Sequence, residues 1–288
     1  MVPAAFSRVA LHCIAPKTYT RFTRWLQRHN TKLTSLMQLS LSADFSRFAW
    51  GGPSQPSHLE QLPCPQLRQL RLQNMCAQFE PAGKYKGLLH ACSGLTALGL
   101  QDCRVPDIHA AMAVITALPA LQHLEVQHLL EGQRFHFRGK AGSCFREVQC
   151  PERFTHLGLD CTANTDLEQL RQLTAFVNLK HLGLTGLGVG VPSGLPWQLV
   201  QLTSLRIHYA TVHIKAPRAA EQLGHLSMLT ALRQLSLKFD DGWNRWPVGH
   251  LKLGDLSGIQ NLSQLTSLNL HSKSSHAAPP LLALLPTC

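Results

Sequence analysis

The stretch Leu179-Lys-His-Leu182-Gly-Leu184 decides the fold, because its apolar skeleton recurs along the chain. Copies begin at Leu36, Leu67, Leu95, Leu121, Phe154, Leu179, Leu202, Leu232 and Leu265, each apolar at its first residue and at the third and fifth places after it. Successive starts are 23 to 33 residues apart. The third and fifth places alternate with polar ones, so both apolar side chains leave one face of a short strand. One such strand cannot bury that face alone. Nine stacked neighbours can, as a parallel sheet over a continuous aliphatic core. At ~4.8 Å per strand, the polar face of such a sheet is roughly 40 Å long.

The return segments carry a second signal. Leu167, Leu170 and Leu173 precede Leu179; Leu223, Leu226 and Leu229 precede Leu232; Leu256, Ile259 and Leu262 precede Leu265. A spacing of three predicts short helices or 3-10 turns on the outer side. Pro63, Pro106, Pro119 and Pro196 fall in these connections, where a missing N–H does least harm.

A six-residue template of this kind, repeated nine times over residues 36–270, resembles the leucine-rich repeat family. The resemblance implies an α/β solenoid with a parallel concave sheet and short helices or 3-10 turns outside. It departs from the family at the eighth place, usually Asn or Cys. Here that place reads Asp44, Met75, Cys103, Leu129, Thr162, Leu187, Ala210, Asp240 and Lys273. Only Cys103 matches, so the expected horseshoe is irregular.

The segment before the first template reads Tyr19-Thr-Arg-Phe22-Thr-Arg-Trp25-Leu26-Gln-Arg-His29. Tyr19, Phe22 and Leu26 share one helical face, and Arg21, Arg24 and Arg28 lie on another. Residues 1–32 therefore read as a basic amphipathic cap region, 33–272 as the solenoid, and 273–288 as a tail or partial cap. The same segment is similar to the lead-in of F-box leucine-rich proteins of the plant and green-algal type. That narrower resemblance implies the substrate-recognition part of a Skp–cullin–F-box ubiquitin ligase receptor. The residues before Tyr19 contain no recognisable F-box, so the expectation is a lost module or a truncated gene product.

Composition narrows the function. The chain has 288 residues, 44% of them hydrophobic, which is enough for a core and excludes general disorder. Its formal net charge is +11, and six bases but no acid precede Asp44. Such a balance raises non-specific affinity for nucleic acid. No Lys/Arg block or RNA-binding signature accompanies it, and nucleic acid is not the expected partner. The nine cysteines form no C-x-x-C pair and no recurring framework, which predicts free thiols and a cytoplasmic protein. No apolar run is long enough to span a membrane. The acid-free N-terminus leaves organelle targeting as an alternative.

Catalytic templates are missing from the sequence: there is no G-x-S-x-G, H-E-x-x-H or G-x-x-x-x-G-K-[ST]. The expected activity is non-catalytic protein–protein interaction, with no cofactor and no small-molecule substrate. A structural scaffold of the cytoskeleton or ciliary axoneme is the alternative. Side chains at the second, fourth and sixth places after the first leucine should face the concave side. Those expected to meet a partner are Arg71, His123, Glu125, His156, Asp160, His181, Arg206, His208 and Lys238. His123, His156 and His181 hold equivalent places in successive repeats. A straight ladder of this kind suits a metal poorly, because its nitrogens do not converge at ~2 Å. Two wide gaps mark insertions near 131–153 and 239–252. The first reads as a β-hairpin around Gly139-Lys-Ala-Gly142. The second carries Trp243 and Trp246, residue types favoured as interface anchors.

Overall fold

The computed structural model describes residues 7–14, 36–43, 66–74, 92–105, 107–127, 129–131, 148–160, 170–187, 198–209, 225–239 and 257–272. It also describes positions 21, 22, 24, 25 and 28, all helical. Ten strands form one parallel sheet: β1 (Arg8–Ile14), β2 (Gln38–Ala43), β3 (Gln69–Gln73), β4 (Ala97–Gln101), β6 (His123–Gln127), β8 (His156–Asp160), β9 (His181–Leu187), β10 (Ser204–Tyr209), β11 (Gln234–Phe239) and β12 (Ser267–Ser272). They are ordered in space as in sequence. The short β5 (Arg104–Val105) and β7 (Leu130–Glu131) pair with each other, also in parallel.

The template residues meet their own kind across the sheet. Leu39, Leu70, Leu98, Leu124, Leu157, Leu182, Leu205, Leu235 and Leu268 form one row in register. Two residues on, Leu41, Leu72, Leu100, Val126, Leu159, Leu184, Ile207, Leu237 and Leu270 form a second row. Leu98 and Leu100 are 1% exposed, Leu182 is 3% exposed and Leu184 is fully buried. The residues that begin each template are also in the core, and Leu67, Leu95, Phe154 and Leu179 are fully buried.

Repeats are also tied by backbone. The amides of the first and second residues after the first leucine both donate to one carbonyl of the preceding repeat, as Thr203 and Ser204 do to Lys180 O at 2.8 and 3.0 Å. Three threonines directly after the first leucine add their hydroxyls: Thr96, Thr203 and Thr266 donate to Arg68 O, Lys180 O and Arg233 O.

The outer side is made of short helical turns, as the spacing of three leucines predicts. Gln172–Ala175 and His225–Met228 are 3-10 turns, and Ser257–Gln260 is one turn of α-helix. The helix Ile108–Thr116 is longer. Asp107 caps it, accepting from Ala110 N at 3.1 Å, and Ile108, Ala111, Met112 and Ile115 fill its buried face. Arg153 closes its far end by donating to Thr116 O, Pro119 O and Gln149 O.

Turns out of the strands use the seventh place. Asn74, Asp102 and Gly186 hold it in three repeats, with φ of 54°, 52° and 73°. These three residue types visit the left-handed region most readily. Cys103, at the eighth place, is buried and lies 3.4 Å from both Leu72 O and Gln101 O, within reach of a weak thiol hydrogen bond. Cys92, Cys103 and Cys150 are not in disulfides.

One element differs from expectation. The sheet begins inside the segment read as a helical cap, because Arg8–Ile14 is a strand paired with β2. Its Val9 and Leu11 align with Leu39 and Leu41, so the stretch Phe6-Ser-Arg-Val9-Ala-Leu11 is a tenth template with two leucines replaced. Helical Phe22 packs against the core, and its ring centroid lies 6.0 Å from that of Trp25. Ten in-register parallel strands with apolar returns make the fold a leucine-rich-repeat solenoid.

Candidate functional site on the concave sheet

The polar face of the sheet is ruled into three rows by the strand register. Place two carries the histidines, because His123 pairs with His156 and His156 with His181. Their rings lie flat against one another. Centroids are 4.8 Å apart for His123–His156 and 3.9 Å for His156–His181, each pair 13° from parallel. Thr155 Oγ1 is 2.9 Å from His156 Nδ1. All three rings are half-buried.

Such a stack favours the neutral form. Burial pushes the His156 imidazole down to about 4, helped by His181, His123 and the Lys180 ammonium. Burial lowers His181 as well, with His123 and Lys180 adding to it. His123 is also lowered by burial; Glu125 opposes the shift and Arg71 supports it. Parallel planes set the ring lone pairs side by side rather than converging, and tetrahedral metal binding needs convergence. Among the described residues no group of three His, Cys, Asp or Glu side chains can hold a metal ion.

The shift has a testable consequence. His156 in the folded state takes up its proton only near pH 4, whereas the unfolded chain does so near 6.5. The unfolded state therefore binds more protons between those values. Stability contributed by neutral His156 is whole above the upper value and is lost as pH falls toward the lower one. Urea midpoints measured across that range should fall with acidification, and His156→Gln should flatten the slope. Equal slopes for the two proteins would place the ring in ordinary solvent.

Place four combines charge with glycine. Arg71 on β3 reaches across β4 and pairs with Glu125 on β6 at 2.9 Å. It can do so because Gly99 lies between them; a Cβ there would sit 3.3 Å from Arg71 Nε. Gln127 Nε2 donates to the other Glu125 oxygen at 2.7 Å. Glu125 in turn leans over Gly158, where a Cβ would meet its Cγ at 3.1 Å. Next comes Gly183, whose nearest neighbour in that direction is Gly158 Cα at 3.7 Å. Gly183 is thus a bare patch of backbone beside the Gly158 that Glu125 covers, with exposed Arg206 on the following strand.

Place six completes the surface. The Thr185 hydroxyl is 3.0 Å from Asp160 Oδ1 and 3.5 Å from Leu159 O. His208 and Lys238 pair in register on β10 and β11, both half-buried. The structure therefore brings together His123, His156 and His181 in one stack, Arg71 with Glu125 in one ion pair, and Asp160 with Thr185. It sets Arg206, His208 and Lys238 further along the same face. Trp243, Trp246 and the expected hairpin around Gly139 lie outside the described residues. Gly99, Gly158 and Gly183 were missed by sequence reasoning; their signal was the repeated use of glycine at place four.

No family model matches the chain, and no curated protein matches it. Among solved structures it is similar to internalin C2 of Listeria monocytogenes, at 17% identity and a TM-score of 0.46, over 85% of this chain and 83% of that one. It is also similar to internalin F of the same organism, at 15% identity and a TM-score of 0.44, over 84% of this chain and 69% of that one. A third is TLR13 in complex with ssRNA13, at 15% identity and a TM-score of 0.32, over 83% of this chain and 43% of that one. None of the three carries an argument about what this protein binds. Among the described residues, no helix is long and apolar enough to cross a membrane.

Proposed function

We propose that the protein is a non-catalytic recognition module that binds another protein along the concave sheet face. The observation that carries this reading is the polar array on places two, four and six. The same strands spend their other side chains on the core, so the histidine stack, the Arg71–Glu125 pair and Arg206 are free of any duty there. Solenoids offer such extended concave surfaces to partners. More narrowly, the module is read as the substrate-receiving part of a Skp–cullin–F-box ubiquitin ligase receptor. The lead-in Tyr19–His29 supports this, and its Phe22 packs against the core.

The test is affinity capture from native extract with wild type and a His123/His156/His181 triple alanine variant. Half-exposed strand positions usually cost little stability, so circular dichroism should show the fold retained. Recovery of partners should fall at least about tenfold, as expected when a central cluster is removed. Unchanged recovery would move binding to the Trp243 and Trp246 insertion. For the narrower reading, fusion to an F-box module should make the captured partner a ubiquitylation substrate in a reconstituted ligase. An unmodified partner would leave a plain recognition module.

A further inference from the structure

The histidine ladder ends because its side chains shrink, while the sheet continues. Each strand supplies one rung, and strands are ~4.8 Å apart. Beyond His181 the place-two residue is Ser204, and beyond Ser204 it is Gln234. A serine stops at Oγ. Between the His181 ring and the Gln234 side chain there is thus a gap about two strand spacings wide, roughly 9–10 Å. A ring set midway would stand against His181 at a separation within the range of ~4.5–7 Å that aromatic pairs prefer. It would continue the 4.8 and 3.9 Å spacing already present.

The opposite end is less open. Ala97 follows His123 there, but the Arg71 guanidinium crosses the same strand above Gly99 on its way to Glu125. The Ser204 end instead borders the bare backbone of Gly183, on which a ring wider than imidazole can rest.

Charge selects the class of ring. Lys180 acts on His156 and His181, and exposed Arg206 stands two residues from Ser204 on the same strand. Two cations disfavour a guanidinium or ammonium in the gap and favour the negative face of an aromatic ring. We propose that the rung above Ser204 receives an uncharged aromatic side chain, best tryptophan, presented by a bound protein. This rests on the concave face being the recognition surface.

The test needs no natural partner. N-acetyltryptophanamide is titrated into the full chain while the histidine ring resonances are followed by NMR. His181 should shift upfield saturably and more than His123. N-acetylargininamide and adenosine should move His181 less. Ser204→Phe fills the rung from within, so it should shift His181 by itself and weaken the probe by about tenfold, the upper end for a ring pair. Ser204→Ala keeps the rung open and should bind the probe like wild type, which keeps the test decisive if Ser204→Phe misfolds. Equal shifts at all three histidines, or none at saturating probe, would overturn the proposal. So would a stronger response to adenosine, which would point to a nucleobase. If the probe fails while the triple alanine variant still loses its partners, the rung is wrong and the concave-face reading stands.

Discussion

Phe154→Ala should cost about 3–5 kcal/mol of folding stability, read as a lowered urea midpoint at unchanged slope. Phe154 begins its repeat, where eight of the ten templates have leucine and the first has Phe6. It is fully buried, and its ring stands 5.9 Å from that of Phe176 at an angle of 53°. Phe176 itself is 1% exposed, and the Arg153 guanidinium carbon lies 5.9 Å from the Phe154 ring centroid. Removing one ring leaves a cavity the size of several methylenes, and the flanking Pro151–Arg153 turn is anchored by Arg153 to three carbonyls. The surroundings therefore cannot collapse to refill it. Phe154→Leu restores the commoner template residue and should cost less than ~1.5 kcal/mol if the site repacks. A loss below about 1 kcal/mol for the alanine variant would mean that the Phe154–Phe176 contact does not exist in solution.

A second large effect separates the middle of the solenoid from its end. Leu184→Ala should cost about 2–5 kcal/mol, because Leu184 is fully buried between β8 and β10. Leu270→Ala removes the same side chain from the same template place on β12. There the residue is only partly buried, and so are Leu265 and Leu268. Its loss should stay below ~1 kcal/mol, since less area returns to water and no closed cavity forms. Equal costs at both positions would show that the last described strand is covered as completely as the central ones.

The contrast shows how far the sequence could be read. The nine templates, their parallel order and their shared core followed from leucine spacing alone, because burial of two alternating positions has one economical solution in a repeat. The tenth, at Phe6-Ser-Arg-Val9-Ala-Leu11, escaped because two of its three leucines are replaced and a helical pattern lies just beyond it. The turns were sought at the eighth place, where only Cys103 fits; the structure puts the special backbone at the seventh, on Asn74, Asp102 and Gly186. The helix after Asp107 was legible in retrospect from its apolar spacing and its capping residue.

The candidate site was legible by row but not by contact. Equivalent repeat positions placed the three histidines one strand apart, and ring stacking follows once each side chain adopts the same rotamer. Nothing in the linear pattern indicated that Arg71 would span two strands to reach Glu125. That contact depends on Gly99, and a missing side chain is easily passed over in a sequence.

The half-covered leucines on β12 also bear on how a molecule of this kind changes length. Leu265, Leu268 and Leu270 present to one side the same surface that each interior repeat presents to its successor. That surface works like the growing face of a crystal: one more unit of the same pattern would meet a lattice already in register, as β12 itself meets β11. Gene duplication can therefore lengthen or shorten the array by whole repeats without redesigning any contact inside it. The histidine stack, far from that face, would stay untouched while the span of the concave surface changed around it.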